Sequence, residues 1–252
     1  MFGVIGGTGL DKIEGLVVEK HETIKTPYGE TSEPLAFGSI AGQLMIVFIA
    51  RHGKNHSIAP HLINYQANIW ALHSVGVKNL IGINTVGSID TKLLPGDFVF
   101  PDQIIDYTHS RAHTFFEKDL EFVTHIDFTQ PFSSKLRKKL ADAFDRANTV
   151  RSANKSLLNE GVYGCMQGPR LETAAEIKRL QQDGCDVVGM TGMPEAALAR
   201  ELKLGYAILA WSVNWAAGLS EKNISMSGIE TYLKEGRGFV LEILTNLIIE
   251  EL

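Results

Sequence analysis

Cysteine is nearly missing from this chain. Cys165 and Cys185 are the only two in 252 residues, which excludes a disulfide framework, and their spacing suits no metal site. Both are expected to be buried thiols in a reducing cytoplasm. Excess positive charge is missing too: the formal net charge is −5, and the densest basic run, Lys135-Leu136-Arg137-Lys138-Lys139, has the spacing of an exposed helix face. Nothing there offers the electrostatic footprint that nucleic acid requires. No apolar run is long enough to cross a bilayer. The segment Met1-Phe2-Gly3-Val4-Ile5-Gly6 lacks the charged start and long apolar core of a secretory signal. No Pro-, Ser- or Gly-rich linker and no internal repeat interrupts the chain. With 44% hydrophobic residues it can bury a full core. One domain over residues 1–252 is expected, with no membrane, nucleic-acid or metal partner and no cofactor.

What is present is an alternation of short apolar runs with longer periodic ones. Phe2–Ile5, Gln43–Ala50, Asn79–Asn84, Gly161–Met166, Val187–Met190 and Tyr206–Trp211 read as strands, and Asp97–Phe100 and Gln103–Ile105 as extended. Helical spacing links Ile63, Ala67, Trp70 and Ala71 after Pro60, and likewise Leu136, Leu140 and Phe144. It recurs in Leu171, Ala174, Ile177 and Leu180, in Ala196, Ala199 and Leu202, and in Ile229, Leu233, Val240, Leu244 and Leu247. Such alternation predicts an α/β fold with a central, largely parallel sheet flanked by helices.

Several strands run into glycines and hydroxyls: Gly6-Gly7-Thr8-Gly9, Asn84-Thr85-Val86-Gly87-Ser88 and Met190-Thr191-Gly192. These ends are expected on one side of the sheet, where ligands of open α/β sheets collect. Glycines let backbone N–H groups approach an oxyanion, and threonines add donors. At the end of another strand, Arg51, His52 and His56 gather around Gly53, and a guanidinium fork suits phosphate or carboxylate. An anion cradle without a metal is one reading; tight, solvated turns are the other. A dinucleotide fingerprint is not matched, because Gly3, Gly6, Gly7 and Gly9 have the wrong spacing and Asp11 comes too soon for a ribose acid.

Six segments carry a resemblance: Gly6-Gly7-Thr8-Gly9-Leu10, Arg51-His52-Gly53, Asn64–Leu72, Pro95-Gly96-Asp97, Gly168-Pro169-Arg170 and Met190-Thr191-Gly192-Met193-Pro194-Glu195. In this order, over nearly the whole chain, they resemble the trimeric purine nucleoside phosphorylase and methylthioadenosine phosphorylase family. The resemblance implies a single-domain nucleoside phosphorylase fold with a central mixed sheet. It also implies a cytoplasmic, metal-free homotrimer that cleaves a purine N-glycosidic bond with inorganic phosphate as co-substrate. It assigns Thr8, Arg51, His52, Thr85 and Thr191 to phosphate and Met190 to the ribose, with Arg51, His52 and Asn214 as the catalytic set.

The same resemblance speaks to the purine. Members acting on 6-aminopurines carry two aspartates just after the last core strand, and here those positions are Asn214 and Ala216. Glu172, beside Leu171, falls where 6-oxopurine members accept from N1–H. An amide donor for O6 or N7 and a carboxylate for N1–H complement hypoxanthine or guanine. Taken singly, Glu172 could be a first-turn helix acid and Asn214 a loop residue. At the ribose 5′ end, Met226 and Ile229 stand where nucleoside phosphorylases place a histidine, an apolar lining suited to a methylthio group; helix core is the plain alternative for Met226. His56 matches a histidine bordering that pocket, and His125 one supplied by a neighbouring subunit. The expected substrate is therefore methylthioinosine. General inosine/guanosine phosphorolysis, methylthioadenosine phosphorolysis, hydrolysis by water and a non-enzymatic nucleotide-binding module remain as alternatives.

Overall fold

In chain order the strands are β1 (Phe2–Gly6), β2 (Leu16–Glu22), β3 (Leu35–Ile40), β4 (Met45–Ala50), β5 (Asn79–Ser88), β6 (Phe98–Val99), β7 (Gln103–Asp106), β8 (Leu157–Leu158), β9 (Val162–Cys165), β10 (Val187–Gly189) and β11 (Gly205–Trp215). The helices are α1 (Tyr65–Ser74), α2 (Ser134–Arg151), α3 (Ala174–Gln182), α4 (Gly192–Glu201) and α5 (Met226–Ile249). The structure, a computed structural model, describes residues 1–8, 10, 15–40, 42, 45–117, 121–151, 153–221 and 223–249. Gly9, Asp11, Gln43 and Leu44, used in the sequence reading, lie outside them.

The sheet is mixed, in the order β2-β3-β4-β1-β5-β10-β9-β7, with β11 beside β5, β6 beside β11 and β8 beside β6. Its centre is parallel: β1 runs with β4 and β5, and β11 with β5. All five residues of β1 are buried, as expected of a strand covered on both faces. The two faces follow the period of two. Phe2, Val4, Ile46, Phe48, Leu209 and Trp211 join one core with α2 and α5. Ile5, Val47, Ile49, Ile208 and Ala210 join another with α1 and α4. On the first face Phe98 stacks on Trp211 with ring centroids 6.1 Å apart, and α5 crosses close above. A Cβ on Gly236 would stand 1.9 Å from Trp211 Cζ2, so only glycine permits that approach.

Several elements differ from the sequence reading. β2 and β3, an antiparallel pair at one edge, were not foreseen, and neither was the two-residue β8. β2 alternates poorly, being exposed from Val17 to Glu22. Pro60 opens only a short 3₁₀ turn, and α1 begins later with the Asn64 side chain accepting from the Ala67 N–H at 3.0 Å. Leu171 lies before α3, because the Thr173 and Glu176 capping box starts that helix at Ala174. Leu202 is the C-cap of α4 rather than part of it.

Two departures shape the site. β5 continues to Ser88 instead of stopping at Asn84, and β10 pairs antiparallel with its far end, Val187 opposite Ser88. The three glycine- and hydroxyl-bearing ends therefore do not come from strands of one direction. Thr191 reaches the site from the opposite side. β11 pairs with β5 along its length, so β1, at Asn79–Gly82, and β10, at Gly87–Ser88, must share its other edge. Between them, on that edge, residues 83–86 form a fork that no described strand pairs.

Candidate active site

The fork opens into a cavity of about 440 Å³. Gly7 and Thr8 from the end of β1, Arg51 and His52 from the end of β4, Asn84 to Gly87 of β5, and Met190 and Thr191 after β10 line one side. Leu171 and Glu172 before α3, Asn214 on β11, and Met226 and Ile229 in the first turn of α5 line the rest, with His56 also in the wall. Every sequence-predicted site residue is gathered here except His125, which sits on an exposed loop outside the cavity. Asn214 stands within β11 after a register shift at Ser212 and Asn214, not in a loop beyond the strand.

Arg51 fills the fork and is fully buried. Its Nη1 donates to the Ile83 carbonyl at 2.9 Å, replacing a strand partner there. Nε and Nη2 donate to Glu195 at 2.5 and 3.0 Å, and Nη2 donates also to Asn84 Oδ1 at 3.2 Å. These contacts engage four of the five guanidinium N–H groups. Burial pulls its pKa down, but the charge and hydrogen bonds of Glu195 outweigh that and leave it raised. Gly7 makes room: a Cβ there would lie 2.5 Å from the Ile83 oxygen and 3.0 Å from Arg51 Nη1. The guanidinium is thus mostly committed inside the protein, and Glu195 cancels its charge.

His52 is buried as well, with Nδ1 2.9 Å from the Ile58 carbonyl. A carbonyl only accepts, so Nδ1 carries a proton and Nε2 of the neutral ring is an acceptor. Burial, then the nearby Arg51 charge, pulls its pKa down to about 3. The His56 ring lies beside it, centroids 4.0 Å apart. An anion here meets a neutral imidazole and a neutralised arginine, so threonine hydroxyls and backbone N–H groups carry more of the donor role than the sequence suggests.

At the other end, burial raises the Glu172 carboxyl above its usual value, a cost that a donor facing it would offset. Asn214 Nδ2 donates to the Trp215 carbonyl at 2.8 Å, which anchors the amide at the cavity edge.

The sequence assigns no individual role to three residues that the structure brings to the site. Glu195 is 1% exposed and accepts from Arg51 and from the Tyr206 hydroxyl at 2.8 Å. An acid among the apolar neighbours Met193, Pro194, Ala196 and Ala197 is a signal that a buried cation must face it. Asn84 lies in the fork between Arg51 and Thr191. Arg111 bridges the walls: its Nη1 donates to the Met190 and Met193 carbonyls at 2.8 and 2.6 Å, and its Nη2 to that of Gln167 at 2.7 Å. Nothing in its flanking sequence marks it.

The phosphorylase superfamily matches residues 1–248. A probable S-methyl-5′-thioinosine phosphorylase of Pseudomonas syringae pv. tomato is 48% identical over 248 residues, 98% of either chain. A 6-oxopurine nucleoside phosphorylase of Pyrococcus furiosus is 44% identical over 231 residues, 90% of this chain and 83% of that one. Among solved structures, methylthioadenosine phosphorylase from Schistosoma mansoni in complex with adenine superimposes with a TM-score of 0.92 at 32% identity, covering 98% of this chain and 90% of the other.

Proposed function

The chain belongs to the phosphorylase superfamily, and on that footing we propose that it cleaves 6-oxopurine nucleosides with inorganic phosphate, methylthioinosine first among them. One observation carries this: a single cavity joins three chemistries. Hydroxyls with Arg51 and His52 lie at one end, a carboxylate and an amide at the other, and apolar Met226 and Ile229 beside them. Thr8, Thr85, Thr191 and the remaining Nη1–H of Arg51 hold phosphate, and Nε2 of His52 accepts from its P–OH. Met190 packs against the ribose without competing as a nucleophile.

As the C1′–N9 bond lengthens, its electron pair goes to the purine and positive charge grows on the sugar. Phosphate beneath C1′ offsets that charge and then forms the new C1′–O bond. The second N–H of Asn214 donates to O6 or N7 as the base gathers negative charge; Glu172 accepts from N1–H, and the purine takes its proton from water. A 6-aminopurine would leave these buried groups mismatched at about 1–3 kcal/mol each. The names of relatives in the Pseudomonas and Pyrococcus lineages support the 6-oxopurine reading; the latter also favours a second one, in which the 5′ end is not discriminated and inosine serves equally. Exposed Phe122 and Val123, at 83% and 71%, fit a subunit contact; in the homotrimer that the family resemblance implies, the neighbouring loop would bring His125 toward Met226, itself 64% exposed.

Purified protein given methylthioinosine should release hypoxanthine only with phosphate present, with or without a chelator, and phosphorus NMR should show a sugar 1-phosphate. Equal release in phosphate-free buffer would mean hydrolysis and would overturn the proposal.

A further inference from the structure

Thr191 is the N-cap residue of α4, yet its side chain makes no capping hydrogen bond. A threonine at that position ordinarily turns its oxygen to the helix N–H groups. Here Thr191 Oγ1 instead faces Asn84 Nδ2 at 2.9 Å. The direction of that bond is fixed by what stands behind it. Arg51 has donors only, so the Asn84 oxygen must face its Nη2 at 3.2 Å. The amide nitrogen then points toward Thr191 and, at 3.2 Å, the Tyr163 hydroxyl. Arg51 itself cannot turn, because Glu195 holds it through two bonds and is held in turn by Tyr206. A chain of one polarity results, running from Arg51 through Asn84 to Thr191. Since Thr191 Oγ1 accepts within it, the hydroxyl hydrogen is left to point elsewhere, and Thr191 lines the cavity.

We propose that Asn84 is a positioning residue: it presets the Thr191 hydroxyl as a donor to phosphate and carries the fixed orientation of the Arg51–Glu195 pair into the anion site. This rests on the assignment of phosphate to Thr191 made above. Asn84 acts through Thr191 and not by touching the nucleophile, which distinguishes it from the residues already assigned to phosphate. With Arg51 neutralised by Glu195, hydroxyls set in advance supply what net charge does not, because a preset donor loses no orientational freedom when the anion arrives.

The test is a double-mutant cycle on the phosphate Michaelis constant with Asn84→Ala, Thr191→Val and the pair. Each single variant should raise that constant about 10-fold to 100-fold, the range for a hydrogen bond to a charged group. The pair should be no worse than Thr191→Val within about twofold, and the nucleoside constant at saturating phosphate should hold within about twofold, magnitudes set by the additivity limits of such cycles. Equal factors for Asn84→Ala in wild-type and Thr191→Val backgrounds would overturn the proposal, since Asn84 would then act independently of Thr191. A parallel rise in both substrate constants would overturn it too, as a general loosening of the site. If Thr191→Val leaves the phosphate constant unmoved, the assignment of phosphate to Thr191 itself fails. Should Asn84→Ala not fold, Asn84→Asp keeps the shape and the Arg51 contact. Its factor should shrink in the Thr191→Val background, and an unchanged factor would again overturn the proposal.

Discussion

Replacing Glu195 with alanine tests whether Arg51 is held by one buried carboxylate. The pair is almost wholly enclosed, with side chains 0% and 1% exposed. Two guanidinium bonds at 2.5 and 3.0 Å and the Tyr206 hydroxyl at 2.8 Å converge on that group. Removing one partner of such a pair leaves an uncompensated charge in the interior, at a cost of about 3–5 kcal/mol. For a chain of this size each kcal/mol shifts the midpoint by about 2–4 °C, so Glu195→Ala should lower Tm by about 6–20 °C. Calorimetry or circular dichroism on heating measures this directly. The double variant Arg51→Met with Glu195→Met should recover much of the loss, because it removes both charges and keeps volume. It should nonetheless raise the phosphate Michaelis constant, since the Arg51 donor to phosphate is lost and Asn84 loses its anchor. Arg51→Ala alone would confuse the two effects, because it strands Glu195. A Glu195→Ala protein melting within about 2 °C of wild type would refute the reasoning, since the midpoint shift scales with the stability lost.

Asn214→Ala should lower turnover of methylthioinosine by about 10²–10³, the usual loss for a transition-state donor. Asn214→Asp should be nearly as damaging, because its carboxylate would face the Trp215 carbonyl that the amide now reaches at 2.8 Å; steady-state kinetics that leave the hypoxanthine-to-adenine ratio unmoved would remove Asn214 from base recognition. His52 gives a pH signature. Its folded pKa, about 3, lies below the ordinary 6.5, so only the unfolded chain takes up the proton between those values. Stability conferred by the neutral ring is complete above pH 6.5 and falls as pH drops toward 3, by at most about 1.4 kcal/mol per pH unit. Urea titrations across that window should show a steeper acid loss for wild type than for His52→Gln, and equal slopes would contradict the assignment. Gly236→Ala should destabilise by about 1–3 kcal/mol through overpacking against Trp211, and an unchanged denaturation midpoint would show that α5 can lift without cost.

Much of the candidate site was legible because its residues sit in local runs. Thr8, Arg51, His52, Thr85, Thr191 and Asn214 each end or follow an apolar segment, Glu172 follows a Gly-Pro turn, and all line one cavity. Their partners were not legible, since those are set by topology. Glu195 meets Arg51 across 144 residues and Asn84 meets Thr191 across 107. Neither separation leaves a periodic trace. A three-residue apolar strand pairs equally well either way, so the direction of β10 cannot be read from its own residues. Only the continuation of β5 to Ser88 decides it. β2 was missed for the opposite reason: as an edge strand exposed over most of its length, it has no buried face to impose alternation. The helices fared better. α2 and α5 keep Leu136, Leu140, Phe144, Leu233, Val240 and Leu244 on their buried faces, and burial of one face is what produces the 3.6-residue period.

On the proposed function the cavity reads a 6-oxopurine through Glu172 and Asn214 and a methylthio group through Met226 and Ile229. The most direct measurement is kcat/KM, at saturating phosphate, for methylthioinosine, methylthioadenosine and inosine in one preparation. Methylthioinosine should exceed methylthioadenosine by about 10²-fold or more, because the adenine amine leaves Glu172 and Asn214 mispaired, and it should exceed inosine by about 10-fold or more for the apolar 5′ lining. Cleavage of methylthioadenosine as fast as methylthioinosine would contradict the account at its base-reading end, and a preference for inosine would contradict it at the other.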